Sequence, residues 1–301
     1  MAGIEKGTPE ETFGLSAALV TPFGEELGID RARMIDQARR VLDHGCASVT
    51  LFGTTGEGVS LSESERNSVL QAFGTAGIDP SRLIVAISCT ASGTAIDQAS
   101  AALDAGIRTL LVPPPFYFKG VSEEGVFAWY SALLDRIGHG AQRLLLYHIP
   151  QVTAVGLSLA LVRRLKQHYG NLILGVKDSA GHWPTTEQFL GEKDLWVLVG
   201  DERHLARAIR LGGKGAISGM ANVYPQKLAD LVRTGQDMPW LSTLVDAVVK
   251  LPVTPAVKAL VGLQHGGEGW GRVRAPLEAT PPTDIEALKR LLDDLKEKKA
   301  L

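Results

Sequence analysis

Short apolar runs alternate with longer amphipathic stretches from Leu15 to Ser218. The apolar runs occupy residues 15–21, 48–52, 83–88, 109–112, 144–147, 172–177, 196–200 and 215–218. Each has the length of a strand and the continuous apolar character of one buried on both faces. Between them, residues 30–44, 62–76, 93–105 and 122–137 place apolar positions at helical spacing. Ser62 followed by Glu65, and Ser122 followed by Glu123 and Glu124, mark helix starts. A strand-then-helix unit repeated eight times implies parallel strands joined by right-handed crossovers. Eight is the count of a closed α/β barrel, the TIM (β/α)8 fold, rather than of an open sheet.

After Ser218 the strand signal stops. Residues 225–234 read as the last helix of the barrel, and 241–250, 255–263 and 284–298 as helices added behind it. The last carries Ile285, Leu288, Leu291, Leu292 and Leu295 as one apolar stripe, with a solvated charged face opposite. The expected organisation is a flexible leader over residues 1–13, a barrel carrying the active site over 14–235, and a C-terminal helical extension over 236–301.

The chain has 301 residues, 45% of them hydrophobic, which fits one compact barrel with additions. A formal net charge of −2 signals no basic surface for nucleic acid or membrane. Two cysteines, Cys46 and Cys89, make neither a disulfide framework nor a zinc site, and they suit a reducing cytoplasm. The first residues are too polar for a secretory signal, and no apolar stretch is long enough to span a bilayer. The seven histidines show no metal-binding spacing, and no Ser-His-Asp arrangement is apparent.

Barrel enzymes work at the C-terminal ends of their strands, and the unusual residues of this chain concentrate there. Strand two leads into Gly53-Thr54-Thr55-Gly56-Glu57, and strand four into Pro113-Pro114-Pro115-Phe116-Tyr117-Phe118. Strand five ends in Tyr147, strand six in Lys177, and strand seven leads into Gly200-Asp201-Glu202. A lysine closing a buried strand loses hydration, which favours its neutral form, and a neutral amine is what imine formation with a ketone requires. Tyr147 is a potential proton carrier on the preceding strand. The Gly-Thr-Thr-Gly turn exposes backbone N–H groups that suit a carboxylate or phosphate, but it lacks the Lys-Ser/Thr ending of a nucleotide-binding loop. Gly175, two residues before Lys177, either leaves room for a ligand or relieves crowding.

With these motifs in order, the chain resembles the dihydrodipicolinate synthase / N-acetylneuraminate lyase family of class I, imine-forming aldolases. The resemblance rests on Ala17-Ala18-Leu19-Val20-Thr21-Pro22-Phe23, Gly53-Thr54-Thr55-Gly56-Glu57, Pro115-Phe116-Tyr117, Tyr147-His148-Ile149-Pro150, Gly175-Val176-Lys177-Asp178 and Gly215-Ala216-Ile217-Ser218. It implies that Lys177 forms a Schiff base with pyruvate or another 2-oxo acid, and that Tyr147 moves protons as general acid and base. Thr55 is the hydroxyl it would place between Tyr147 and Tyr117, a relay toward solvent. Thr54 and Thr55 would also hold the oxo-acid carboxylate, and the Ile217 carbonyl would orient the ketone. Neither metal nor organic cofactor is implied, because the protonated imine is itself the electron sink. The partners implied are a 2-oxo acid and an aldehyde, and the expected assembly is a homodimer or homotetramer.

Two departures bear on the substrate. The synthase branch has an arginine two positions after its Tyr-Asn-Val-Pro motif to grip the carboxylate of its semialdehyde. Here that position is Val152, and His148 replaces the asparagine. Lys177-Asp178-Ser179-Ala180-Gly181 is closer to aldolases of 2-keto-3-deoxy acids and 4-hydroxy-2-oxoglutarate. Gly200, Glu202 and Arg203 sit near where lyase members contact the hydroxylated half of their substrate. An aldolase or lyase of such acids is therefore favoured over a dihydrodipicolinate synthase. A non-catalytic 2-oxo-acid sensor is the alternative of another class.

Overall fold

The computed structural model describes residues 12–298 apart from 139, 142, 267 and 268, so most of the expected leader lies outside the described residues. Eight strands, β1 (Gly14–Ala18), β2 (Ser48–Leu51), β3 (Leu83–Ala86), β4 (Thr109–Val112), β5 (Arg143–His148), β6 (Ile173–Asp178), β7 (Trp196–Val199) and β8 (Gly215–Ser218), close into one parallel barrel. They pair in sequence order, and β8 returns to β1. The helices between them are α1 (Arg31–Asp43), α2 (Glu63–Thr75), α3 (Ser92–Asp104), α4 (Glu123–Ile137), α5 (Pro150–Thr153), α6 (Leu159–Tyr169), α7 (Trp183–Leu190) and α8 (Glu202–Arg210). After β8, α9 (Pro225–Thr234) packs against β1 as the barrel's last helix, and α10 (Pro239–Val248), α11 (Val253–His265) and α12 (Pro282–Glu297) follow it. The architecture is the TIM barrel with extra C-terminal helices that the sequence pattern implies.

The polar signals at helix starts act as caps. The Ser62 hydroxyl accepts from the Glu65 N–H while the Glu65 carboxylate accepts from the Ser62 N–H, a reciprocal box that starts α2. The Ser122 hydroxyl accepts from the Gly125 N–H and starts α4. The first apolar run outlasts its strand. After the Leu19 N–H donates to the Thr50 carbonyl of β2, residues 20 and 21 leave the ladder yet stay buried, because Thr21 donates to the Gly56 carbonyl at 2.7 Å and the Val20 N–H donates to Asn222 at 3.2 Å. Their apolar character thus serves burial under the rim loops and not strand pairing.

Alternate strand residues face inward, and the barrel interior includes Ala18, Leu111, Leu145, Tyr147, Leu198 and Ile217. The other face of each strand packs against the helices. One irregularity sets the site. Between Leu144 and Leu145 the register on β6 slips, so Leu144 pairs with Ile173 and Leu145 with Gly175, leaving Leu174 as an extra residue. Without that bulge Tyr147 would sit opposite Val176; with it, Tyr147 pairs with Lys177. Cross-strand partners share a face, so both side chains enter the barrel together. On α12, Leu288, Leu292 and Leu295 of the apolar stripe are buried, where the helix packs against α10 and α11.

Candidate active site

Lys177 ends up 5% exposed at the inner C-terminal end of β6, with its ammonium 4.1 Å from the centre of the Tyr147 ring. A β-carbon on Gly175 would come within 1.9 Å of the Trp196 carbonyl oxygen on β7, so glycine there permits close strand approach. Of the two roles open to it in the sequence, it relieves crowding. Gly200 also keeps a crowded spot clear, since a β-carbon there would lie 1.9 Å from the Ser179 hydroxyl and 3.1 Å from Lys177 Cε. Its absence leaves the lysine stem its path into the cavity.

Burial pushes the Tyr147 hydroxyl toward its neutral form, but the charge on Lys177 and hydrogen bonds with Thr54, Lys177 and Ser179 outweigh it. The net effect holds Tyr147 below the usual phenol range. The threonine that meets Tyr147 corrects the sequence reading. Thr54 Oγ1 lies 3.4 Å from the Tyr147 hydroxyl, whereas Thr55 lines the cavity beside Gly219. A turn's backbone path decides which of two adjacent threonines points at a neighbour, and residue order alone does not reveal it.

That turn is wound tightly. The N–H groups of Gly56 and Gly58 both donate to the Gly53 carbonyl, and the Glu57 N–H donates to that of Thr54. The N–H groups of Thr54 and Thr55 stand outside those bonds, free to face an anion. Glu57 adopts a left-handed φ of 54° and buries its carboxylate against Lys258 of α11 at 2.6 Å. It also accepts from the Arg274 N–H at 3.0 Å, while Thr254 of α11 donates to the Thr54 carbonyl at 3.1 Å. The sequence motif contains Glu57, but its role as an anchor to a helix two hundred residues away was not legible in it.

A cavity of about 380 Å3 opens over Lys177. Its walls bring together most of the residues expected from the sequence: Thr54, Thr55, Tyr147, Lys177, Gly200, Glu202, Arg203 and Ile217. Tyr117 is the exception. It projects from the loop after β4, 76% exposed and edge-on to Phe118, and is not among the cavity's walls. The proline run therefore forms no wall of this cavity. Arg203 is not a free cation either. It pairs with Asp201 at 2.7 Å and Asp246 at 2.9 Å, and these partners hold its guanidinium firmly charged. Glu202 accepts from the Ser218 hydroxyl at 2.6 Å and the Met220 N–H at 3.3 Å, and its burial pushes the carboxyl above the usual carboxylate range. Among the described residues no three His, Cys, Asp or Glu side chains gather to hold a metal ion, and no helix is long and apolar enough to cross a membrane.

The family model of the dihydrodipicolinate synthetase family matches residues 11–251. An uncharacterized DapA-like lyase of Chloroflexus aurantiacus is 34% identical over 259 residues, covering 83% of this chain and 86% of that protein. A 4-hydroxy-tetrahydrodipicolinate synthase of Corynebacterium urealyticum is 30% identical, covering 94% and 95%. The crystal structure of dihydrodipicolinate synthase from Agrobacterium tumefaciens superposes with a TM-score of 0.92 at 49% identity, covering 94% of this chain and 99% of that one.

Proposed function

The chain belongs to the dihydrodipicolinate synthetase family and is a Schiff-base-forming carbon–carbon lyase, and on that premise we propose that Lys177 is its imine-forming nucleophile and a 4-hydroxy-2-oxo acid its substrate or product. The observation that carries the reading is the pairing of Lys177 with Tyr147 across β5 and β6, both lining the cavity. The Lys177 amine attacks C2 of pyruvate, and Tyr147 delivers the protons that turn the carbinolamine into an imine. The unbonded N–H groups of Thr54 and Thr55 receive the carboxylate, which places C2 over the lysine. The Ile217 carbonyl orients the ketone. Loss of a methyl proton from the imine gives an enamine, which adds to an aldehyde; cleavage runs the same steps backwards.

Acidic acceptors such as aspartate semialdehyde fit poorly. Val152 offers no charge where the synthase branch has its arginine, and Arg203 is already paired with two carboxylates. Loss of a charge-assisted contact of that kind costs roughly 1.5–3 kcal/mol. Glu202 and Arg203, the residues expected to meet a hydroxylated acceptor, already spend their polar atoms on Ser218, Met220, Asp201 and Asp246. We place the enzyme in a homodimer or homotetramer, on the support of the exposed Tyr117, Phe118 and Val121.

Borohydride reduction with pyruvate tests the nucleophile. The reading expects a covalent adduct that peptide mapping places on Lys177, and its loss in Lys177→Ala. An adduct on a different lysine would overturn the assignment. Steady-state release of pyruvate from 4-hydroxy-2-oxo acids separates the enzyme from a sensor that binds without turnover.

A further inference from the structure

Above Lys177 the cavity lining is mixed. Several of its polar groups are already committed: Arg203 to Asp201 and Asp246, and Gln151 to the Ser179 carbonyl at 2.6 Å. Six valines, from α5, α10, α11 and the residue after α10, also line it. Val245 and Val248 come from α10, Val249 follows it, Val253 and Val257 come from α11, and Val152 comes from α5. Val245, Val248 and Val257 are buried, whereas Val152, Val249 and Val253 stand 57%, 44% and 46% exposed around the mouth. Valine neither donates nor accepts hydrogen bonds, so hydroxyls laid against this wall would lose water without gaining partners. An acidic group fares no better, because the cations on the cavity's described walls are Lys177, whose charge is absent in the enamine that attacks, and the doubly paired Arg203.

We propose that the aldehyde partner carries an uncharged, apolar alkyl or aryl substituent, seated on the valine wall formed by α5, α10 and α11. This rests on Lys177 forming the pyruvate imine and names the acceptor class for that same site. In the condensing direction C3 of the enamine attacks the aldehyde carbon and forms one C–C bond. The C=O π pair moves to oxygen, which takes from Tyr147 the proton that had left the pyruvate methyl group. Water then adds at the imine carbon and releases the lysine amine and a 4-hydroxy-2-oxo acid with an apolar tail. Each methylene withdrawn from water onto such a wall strengthens binding about fourfold.

Pyruvate consumption by the full chain, measured with hexanal and benzaldehyde against glyceraldehyde and aspartate semialdehyde, tests this. The kcat/KM for the apolar aldehydes should exceed that for glyceraldehyde by about tenfold or more. Val249→Ser and Val253→Ser, both at exposed positions, should shrink that ratio by about threefold or more, through KM. Equal or better use of glyceraldehyde would overturn the proposal, as would a ratio indifferent to both valine substitutions. If the indifferent variants also change oligomeric state, the valine rim is a contact between copies and not a substrate wall. Borohydride trapping of pyruvate on the wild-type chain keeps the two readings apart. Trapping without an apolar preference sinks the acceptor class alone, and failure to trap sinks the Schiff-base assignment and this proposal with it.

Discussion

Tyr147 meets both Lys177 and the Gly-Thr-Thr-Gly turn: its ring lies 4.1 Å from Lys177 Nζ and its hydroxyl reaches Thr54, and in the proposed mechanism it carries the protons. Removing only that hydroxyl should leave the imine able to form while proton transfer fails. Tyr147→Phe is thus expected to keep borohydride trapping and lower kcat by about 10²–10⁴-fold, and turnover within a few-fold of wild type would remove Tyr147 from the mechanism. Thr54→Val and Thr55→Val divide the turn's duties. Because the contact to Tyr147 is Thr54's, Thr54→Val should act on kcat, whereas Thr55→Val should act on KM for pyruvate. Lys177 and Tyr147 were legible in the sequence because each closes an apolar run, where a polar side chain needs a reason to be. Thr54 was legible as a member of the turn but not as the partner of Tyr147. Arg203 stood out as a possible contact to the hydroxylated half of a substrate, and only the fold adds Asp246 to Asp201 as its partners.

Helix α11 belongs to the catalytic turn as much as to the C-terminal extension. Thr254 holds the Thr54 carbonyl and Lys258 holds Glu57, both with little or no access to water. A buried carboxylate deprived of its partner is costly, so Lys258→Met should destabilise the fold by about 3–5 kcal/mol, readable in denaturant titration. Adding Glu57→Gln removes the stranded charge and should recover part of that loss. A Lys258→Met variant as stable as wild type would mean that the pair anchors nothing. Thr254→Val loosens a single hydrogen bond to the turn and should lower turnover more than stability. The strand runs and the helix stripes were visible in the sequence because burial imposes their periodicity. The bulge at Leu174 was not, since one surplus residue in an apolar run leaves the pattern unbroken. Nor could helical spacing in α10 and α11 reveal that their valines face a cavity, because a core and a substrate wall call for the same side chains.

At the scale of the whole molecule, one patch is unaccounted for by a single copy. The loop after β4 exposes Tyr117 at 76%, Phe118 at 67% and Val121 at 39%, and Tyr117 is held at a φ of 90° that a bulky residue adopts at a cost. Exposed aromatics on a strained loop are what a subunit contact would cover. The relay that the resemblance assigns to Tyr117 also needs such a contact, since its side chain is not among the walls of its own chain's cavity. Light scattering at micromolar concentration should therefore give a dimer or tetramer. Phe118→Asp and Val121→Asp, on the same loop but outside the cavity, should shift the population toward monomer. If Tyr117 completes the site only in the assembly, monomer should still trap pyruvate on Lys177 while its kcat falls alongside that of Tyr117→Phe. A wild-type chain that is monomeric and fully active would detach Tyr117 from the relay and leave its strained backbone without a function.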